Sequence, residues 1–193
     1  LEADYDRMME RTSNRPLAAK RWSPSSALVI AGIFSLFGII LLALLNPLTS
    51  FLGTLSLVTY AFLYTPLKRY SPVSVIVGAI PGALPVLIGM IAHDGVVTTG
   101  ALFLFAIQFI WQFPHFWSIG FLSYDQYKHA GYKLLPEDDG QIDRRLGTQT
   151  LVYTCLLIPV IAIGFIMQLI SIWGAIGLVL VSSYFIWRAW VFY

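Results

Sequence analysis

The chain has 193 residues, of which 58% are hydrophobic and 11% are charged. Soluble domains carry about 25% charged residues, so this composition excludes a soluble globular domain and indicates an integral membrane protein. The formal net charge of +2 gives no support for nucleic-acid binding. The single cysteine, Cys155, excludes a disulfide framework and a thiolate metal site. Since Cys155 lies within an apolar run, we predict a buried, inert thiol.

Six apolar runs are each long enough to cross a bilayer, for which an α-helix needs about 20 residues. Helix-breaking residues mark several of the joints between the runs, including Asn46-Pro47 and Ser71-Pro72. The predicted spans are Ser26–Leu45, Leu48–Leu67, Val73–Ala92, Thr98–Leu122, Thr148–Gln168 and Trp173–Tyr193. The sequence therefore predicts an all-α, polytopic transmembrane helix bundle with one domain over residues 1–193. The chain starts inside a charged segment without methionine and stops within an apolar run, so we expect truncation at both ends.

Joints that carry lysine or arginine alternate along the chain with joints that carry neither. Residues 1–23 carry five lysines and arginines, Lys68 and Arg69 mark a later joint, and the loop 123–147 carries four. The intervening joints carry none, so the positive-inside rule places the charged segments together on the cytoplasmic side of the membrane, or its equivalent. Nine of the ten acidic residues also lie in the first and last of these segments. Two distant acidic segments are thus predicted to share one membrane face.

The opening segment has the spacing of an anion and metal site. If residues 1–10 are helical, Glu2, Asp6 and Glu10 stack on one face, where their like charges repel. A divalent cation relieves that repulsion, and carboxylate oxygens suit Mg²⁺ that also holds substrate phosphates. Arginines at four-residue steps suit bidentate phosphate contacts; they are Arg7, Arg11 and Arg15. A solvated loop laced with Asp–Arg pairs is the alternative, and the spacing leaves both open.

The same stretch, LEADYDRMMERTSNRPL, resembles the first acidic motif of the protohaem IX farnesyltransferase (haem O synthase) branch of the UbiA-type intramembrane prenyltransferases. Glu2 and Asp6 match the two acids of that motif, and its leading asparagine would stand before Leu1. The following part of the motif is matched by Met9, Arg11, Thr12, Arg15, Pro16 and Leu17. YAFLYTPLKR at 60–69, GAIPGALPVLIG at 78–89 and QFPHFWSIGFLSYDQYKHAGYKLLP at 112–136 resemble the same family.

The later motifs carry further expectations. Glycines and prolines in residues 78–89 predict close helix packing and a broken helix beside a cavity. Lys68 and Arg69 either contact a diphosphate or act as positive-inside anchors. Asp125 is the remaining acid of the second motif. A histidine within a span usually faces the bundle interior. His115 therefore either bonds a backbone carbonyl or, as the resemblance favours, faces haem as an iron ligand or a proton donor or acceptor.

The resemblance implies the UbiA-type fold, with six of nine expected spans, and an enzyme that transfers farnesyl from farnesyl diphosphate to the vinyl group of haem B, giving haem O for terminal oxidase assembly. It implies Mg²⁺ held by Glu2, Asp6 and Asp125, and a catalytic set of Asp6, Asp125 and His115. The expected diphosphate contacts are Arg11, Arg15, Lys68 and Lys128. The expected haem or farnesyl contacts are His115, Tyr64, Phe116 and Trp117.

The resemblance also implies a membrane and partners. The expected membrane is the bacterial inner membrane, or alternatively the mitochondrial inner membrane, with the active-site loops on the cytoplasmic or matrix side. Haem A synthase or oxidase assembly factors are the expected protein partners.

The sequence leaves three other functions open. A UbiA-type enzyme with another acceptor, such as a quinone precursor or chlorophyllide, would carry several spaced aspartates in its second motif, where this chain has Asp125 alone. A transporter or channel would place polar residues deep in several spans. A haem-binding subunit without chemistry would need paired axial ligands, and His115 is the one well-placed candidate.

Overall fold

The computed structural model describes residues 2–192, with side chains through Trp190. The helices are α1 (Ala3–Asp6), α2 (Pro24–Leu45), α3 (Pro47–Val58), a π-helical segment (Thr59–Tyr64), α4 (Thr65–Leu67), α5 (Ser74–Asp94), α6 (Thr99–Leu122), α7 (Tyr124–His129), α8 (Arg145–Cys155), α9 (Leu157–Ile166) and α10 (Ile172–Phe192). A short antiparallel hairpin is formed by β1 (Glu137–Asp138) and β2 (Gln141–Ile142).

Six helical segments are long and apolar enough to cross a membrane, as predicted. They run Pro24–Leu45, Pro47–Leu67, Ser74–Asp94, Thr99–Leu122, Arg145–Ile166 and Ile172–Trp190. The last predicted span extended to Tyr193, which lies outside the described residues. The all-α polytopic prediction is confirmed, and the chain is an integral membrane protein.

Side-chain caps set several of the helix starts. Ser23, Asn46 and Thr98 accept backbone N–H bonds from residues three positions later, and proline follows the first two. These caps satisfy amides that the first helical turn leaves unpaired. The Asn46 side chain also donates to the Ile91 carbonyl (3.1 Å), so the joints after α2 and α5, which lack lysine and arginine, lie at the same end of the bundle.

Each span packs on the span before it in the sequence. The core between α3, α5 and α6 contains Leu52, Leu84, Leu87, Ile91 and Ala101. The core between α5, α6, α8 and the intervening loop contains Val75, Ala79, Phe113, Trp117, Leu135 and Leu146. The described part of α2 has no buried residue, and Leu28 is 75% exposed. An exposed apolar helix surface of this kind suits lipid.

The predicted break in residues 78–89 is wrong, because α5 continues through both Pro81 and Pro85. Transmembrane helices tolerate proline where neighbouring helices compensate for the missing bonds. The irregular backbone lies instead in the second span, as the π-helical segment Thr59–Tyr64. The close packing is confirmed at Gly78, where a Cβ would stand 2.6 Å from Cε2 of Tyr64.

The fifth span contains the break between α8 and α9, at Leu156. Pro159 lacks the N–H that would bond the Cys155 carbonyl, four residues earlier, which explains the break at this position. The prediction of a buried thiol is wrong, since Cys155 is exposed at this break. The β-hairpin was not predicted either, although its turn residues Asp139 and Gly140 both have positive φ (49° and 76°), as tight hairpin turns require.

Candidate active site

Three segments distant in sequence meet at the charged end of the bundle. Glu2 Oε1 lies 2.5 Å from Lys68 Nζ, at the end of the second span. The same oxygen accepts a hydrogen bond from the Tyr132 hydroxyl (2.9 Å) in the loop after α6. The Lys133 amide in turn donates to the Lys68 carbonyl (2.7 Å). The predicted meeting of the two acidic segments is therefore observed, with the Lys68 joint between them.

Residues 1–10 do not form the single helix on which Glu2, Asp6 and Glu10 would stack on one face. Helix α1 ends at Asp6, and the chain then turns so that Met9 is buried with Ala130 and Tyr132. The Thr12 hydroxyl donates to the Asp6 carbonyl (2.9 Å) and holds this turn. Glu10 is exposed, so it does not continue a carboxylate stack. Burial of Met9 outweighs continuation of a helix whose face would carry three acids.

The two motif acids each have a basic partner. Lys68 pairs with Glu2, and their side chains are 12% and 22% exposed. The Arg15 guanidinium reaches both carboxylate oxygens of Asp6 at 3.1 Å. Asp6 itself is buried (8% exposed), which makes an unpaired charge there unfavourable. Arg15 and Lys68, two of the predicted diphosphate contacts, thus neutralise the predicted metal-binding acids in this structure.

Tyrosines surround these ion pairs, and the sequence interpretation missed them. The Tyr132 ring lies 5.6 Å from the Tyr5 ring and 5.9 Å from the Tyr127 ring. The Tyr127 hydroxyl accepts a hydrogen bond from Arg11 (3.1 Å), a predicted diphosphate contact. Burial, and next the hydrogen bond to Glu2, raise the pKa of Tyr132. The signal available in the sequence was the density of tyrosine beside the second motif.

The predicted metal ligands divide into two places. Glu2 and Asp6 both raise the pKa of Tyr132, so the two carboxylates act on the same hydroxyl. Asp125 is exposed in the first turn of α7, where its charge acts on Lys128. Within residues 2–190, no three His, Cys, Asp or Glu side chains are close enough to share a metal ion. Two carboxylates beside Arg15 and Lys68 still fit Mg²⁺, which one or two carboxylates commonly hold together with substrate phosphates.

Lys128 is held within the loop that follows α6. Its ammonium donates to the Tyr124 hydroxyl (3.0 Å) and to the Gly140 carbonyl in the turn of the hairpin. The hydrogen bond with Tyr124 raises the pKa of Lys128. Tyr124 also donates to Glu137 (2.9 Å), which begins β1. In this structure Lys128 therefore binds the turn of the hairpin and Tyr124. Its predicted contact with diphosphate stays a prediction.

His115 faces a cavity of about 600 Å³ between α6, α8–α9 and α10. Its ring is stacked on Trp111, with centroids 4.5 Å apart and planes 17° apart. The imidazole is exposed to the cavity and is not packed in the core. Arg188 of α10 lines the same cavity, a contribution that the sequence interpretation did not assign.

The predicted aromatic contacts occupy different environments. Tyr64 is buried, and its ring centroid lies 5.9 Å from that of Phe116. Phe116 lines a second cavity of about 390 Å³, together with Tyr60, Gly78 and Gly82. Trp117 instead packs in the core against Phe113 and Tyr153. The structure thus places Phe116 on a cavity wall, Tyr64 beside it and Trp117 in the core.

The UbiA prenyltransferase family model matches residues 1–193, and the chain belongs to that family. A protein of Christiangramia forsetii named "Protoheme IX farnesyltransferase" is 42% identical over 177 residues, which are 92% of this chain and 56% of that protein. Proteins of the same name from Flavobacterium johnsoniae and Cytophaga hutchinsonii are 44% and 41% identical, over 82% and 90% of this chain and 52% and 60% of theirs. The chain thus spans between half and two thirds of the length of these relatives. No solved structure matches it.

Proposed function

We propose that this protein is a protohaem IX farnesyltransferase, which joins the farnesyl group of farnesyl diphosphate to a vinyl group of haem B and so produces haem O. The observation that carries the proposal is the Glu2–Tyr132 hydrogen bond of 2.9 Å, because it sets the two motif-bearing segments side by side. Relatives of 41–44% identity bear the name of this activity. UbiA-family membership supports the prenyl-transfer half of the reaction.

The diphosphate half of the reaction belongs at the charged end of the bundle. Glu2 and Asp6 would hold Mg²⁺, with Asp125 as the third predicted ligand, and the bound ion would neutralise charge on the leaving diphosphate. Arg15 and Lys68 lie against those carboxylates and would contact phosphate oxygens. As the C–O bond breaks, its electron pair leaves with the diphosphate, and these cations stabilise the charge that develops.

The acceptor half belongs in the apolar interior. The terminal vinyl carbon of haem B attacks the first carbon of the farnesyl cation, which forms the new C–C bond. Water then adds to the neighbouring porphyrin-side carbon, which carries the positive charge, and the added oxygen loses one proton to leave a hydroxyl group. The Tyr64 and Phe116 rings, 5.9 Å apart, offer aromatic faces that favour an allylic cation. His115 in its cavity serves as iron ligand or proton acceptor.

We further place the site on the cytoplasmic or matrix side of the inner membrane, because the segments that form it carry the clustered lysines and arginines. Both substrates suit this position. Each has a large apolar body that partitions into the bilayer and an anionic end that belongs at the aqueous surface.

The decisive test supplies the full-length protein with farnesyl diphosphate, Mg²⁺ and haem B, and detects haem O by mass spectrometry. Haem O should form and should disappear with chelator. Asp6→Ala and Asp125→Ala should abolish transfer, whereas Asp94→Ala, beside His93 at the far end of α5, should retain it. Prenylation of an aromatic acid in place of haem would indicate another acceptor. Full activity in both motif variants would support the solvated-loop interpretation.

A further inference from the structure

The cavity that contains His115 has one cationic group at its charged end. Arg188 lines it together with Leu122, the last residue of α6, and Thr150, in the middle of α8. Leu122 adjoins the 123–147 loop, so Arg188 lies at the same end of the bundle as the ion pairs of the candidate active site. His115 lies two helical turns deeper along α6 than Leu122. The cavity therefore extends from a basic mouth into an apolar interior.

Arg188 is available to bind a ligand. An arginine within a transmembrane helix is unfavourable unless it reaches water, an anion or another partner. Its guanidinium carbon lies 5.9 Å from the Trp187 ring, and among the side chains of residues 2–190 no carboxylate lies within ion-pair distance of it. The hydroxyls of Thr150 and Thr154, which line the same cavity, donate within α8 to the carbonyls four residues earlier.

The remaining walls suit a flat, apolar ligand. Trp111, Pro114, Leu157, Tyr184 and Phe185 line the cavity. The parallel Trp111–His115 stack presents a planar surface and fixes the orientation of the imidazole. The volume of about 600 Å³ falls within the usual range of about 300–1,000 Å³ for small-molecule sites. A planar apolar body with a carboxylate at one edge matches this arrangement of walls and charge.

We propose that the cavity between α6, α8 and α10 holds the tetrapyrrole acceptor, with Arg188 binding one of its carboxylates at the charged end. This inference rests on the proposed function, since it names the place of the acceptor in that reaction. It predicts that the protein recognises its acceptor by this carboxylate, because a fixed arginine fork binds a carboxylate in two parallel hydrogen bonds. It also makes His115 the residue that faces the ring of the acceptor.

The test compares haem B with its dimethyl ester, in which both carboxylates are neutral. Binding is titrated through the Soret absorbance with the full-length protein in nanodiscs, with empty nanodiscs subtracted. Arg188→Gln should weaken binding of haem B about tenfold or more and leave ester binding unchanged, as expected for loss of a charge-assisted hydrogen bond. Arg188→Lys should keep part of the preference for the free acid. Arg144→Gln, an equal charge change at an exposed loop residue, is the matched control.

Three outcomes would overturn the inference. Unchanged haem B affinity in Arg188→Gln would mean that Arg188 serves lipid headgroups or that another segment of the longer protein fills the cavity. An equal loss for acid and ester would indicate a structural defect, and an equal loss in Arg144→Gln would indicate a general charge effect. Haem O synthesis is measured separately. If the carboxylate preference depends on Arg188 but no haem O forms, the site is supported and the proposed function is refuted. If haem O forms but Arg188→Gln leaves haem affinity unchanged, the proposed function is supported and the site is refuted.

Discussion

Lys68 Nζ lies 2.5 Å from Glu2 Oε1, although the two residues come from the end of the second span and from the segment that precedes the first. The ammonium also lies 4.9 Å from the centre of the Tyr64 ring and 5.4 Å from that of Tyr132. The Lys68 ammonium thus connects Glu2, a predicted metal ligand, to aromatic residues of the second span and of the loop after α6. In the proposed reaction the same cation contacts the diphosphate.

This double role of Lys68 can be separated by exchanging charges. Lys68→Glu should lower stability by about 2 kcal/mol, because it breaks a mostly buried charged hydrogen bond. The double variant Glu2→Lys with Lys68→Glu should regain most of that stability in a thermal unfolding assay. It should not regain farnesyl transfer, because the proposed metal-binding and phosphate-binding groups have changed places. Recovery of both properties would show that the pair is structural only.

Tyr132 should act as a positioning residue for Glu2. Tyr132→Phe keeps the ring that packs on Tyr5 and removes the hydroxyl that bonds Glu2. We expect about a tenfold loss of transfer rate together with a raised Mg²⁺ requirement, since Glu2 loses its orientation. Tyr70→Phe is the control, because Tyr70 is 73% exposed at the same end of the bundle. An unchanged Mg²⁺ dependence in Tyr132→Phe would contradict this role.

The raised pKa of Tyr132 also predicts a dependence of stability on pH. Burial and the bond to Glu2 favour the protonated phenol in the folded state. The resulting stabilisation is fully present below the unfolded-state pKa of about 10 and declines as the pH rises past it. Thermal unfolding between pH 8 and pH 11 should therefore show a steeper loss for the native protein than for Tyr132→Phe. Parallel curves would count against the buried, bonded phenol.

Gly78 sets the position of Tyr64. A Cβ at Gly78 would lie 2.6 Å from Tyr64 Cε2, so Gly78→Ala must displace that ring. We expect about 1–3 kcal/mol of destabilisation from overpacking, with reduced transfer. Gly89→Ala in the same helix is the matched control, since nothing lies within 4 Å of its added Cβ. Equal unfolding temperatures for the two variants would contradict the contact.

Lys128 is expected to matter more for the hairpin than for the diphosphate. Lys128→Met removes its bonds to Tyr124 and Gly140 and should speed hydrogen exchange at the backbone amides of residues 138–141. We expect the KM for farnesyl diphosphate to change less than threefold, compared with more than tenfold for Lys68→Ala. A larger KM effect at Lys128 than at Lys68 would restore Lys128 as a main phosphate contact.

The sequence by itself determined the number and placement of the spans, because a bilayer requires about 20 apolar residues whatever the neighbouring helices do. It also placed Glu2, Asp6, Lys68 and Asp125 at one end, since the alternation of basic joints depends only on chain order. The irregular backbone was less predictable. The prolines of α5 are accommodated within a continuous helix, whereas the segment Thr59–Tyr64 forms a π-helix.

Only the tertiary structure decided which groups meet. It paired Lys68 with Glu2 and Arg15 with Asp6, placed Tyr132 on Glu2 and set Trp117 in the core. It also brought Arg188 and His115, which lie on different helices, to one cavity. These relationships depend on how each helix is rotated about its axis and where each loop folds back. Apolar length and charge leave those two variables free, and side-chain packing sets them.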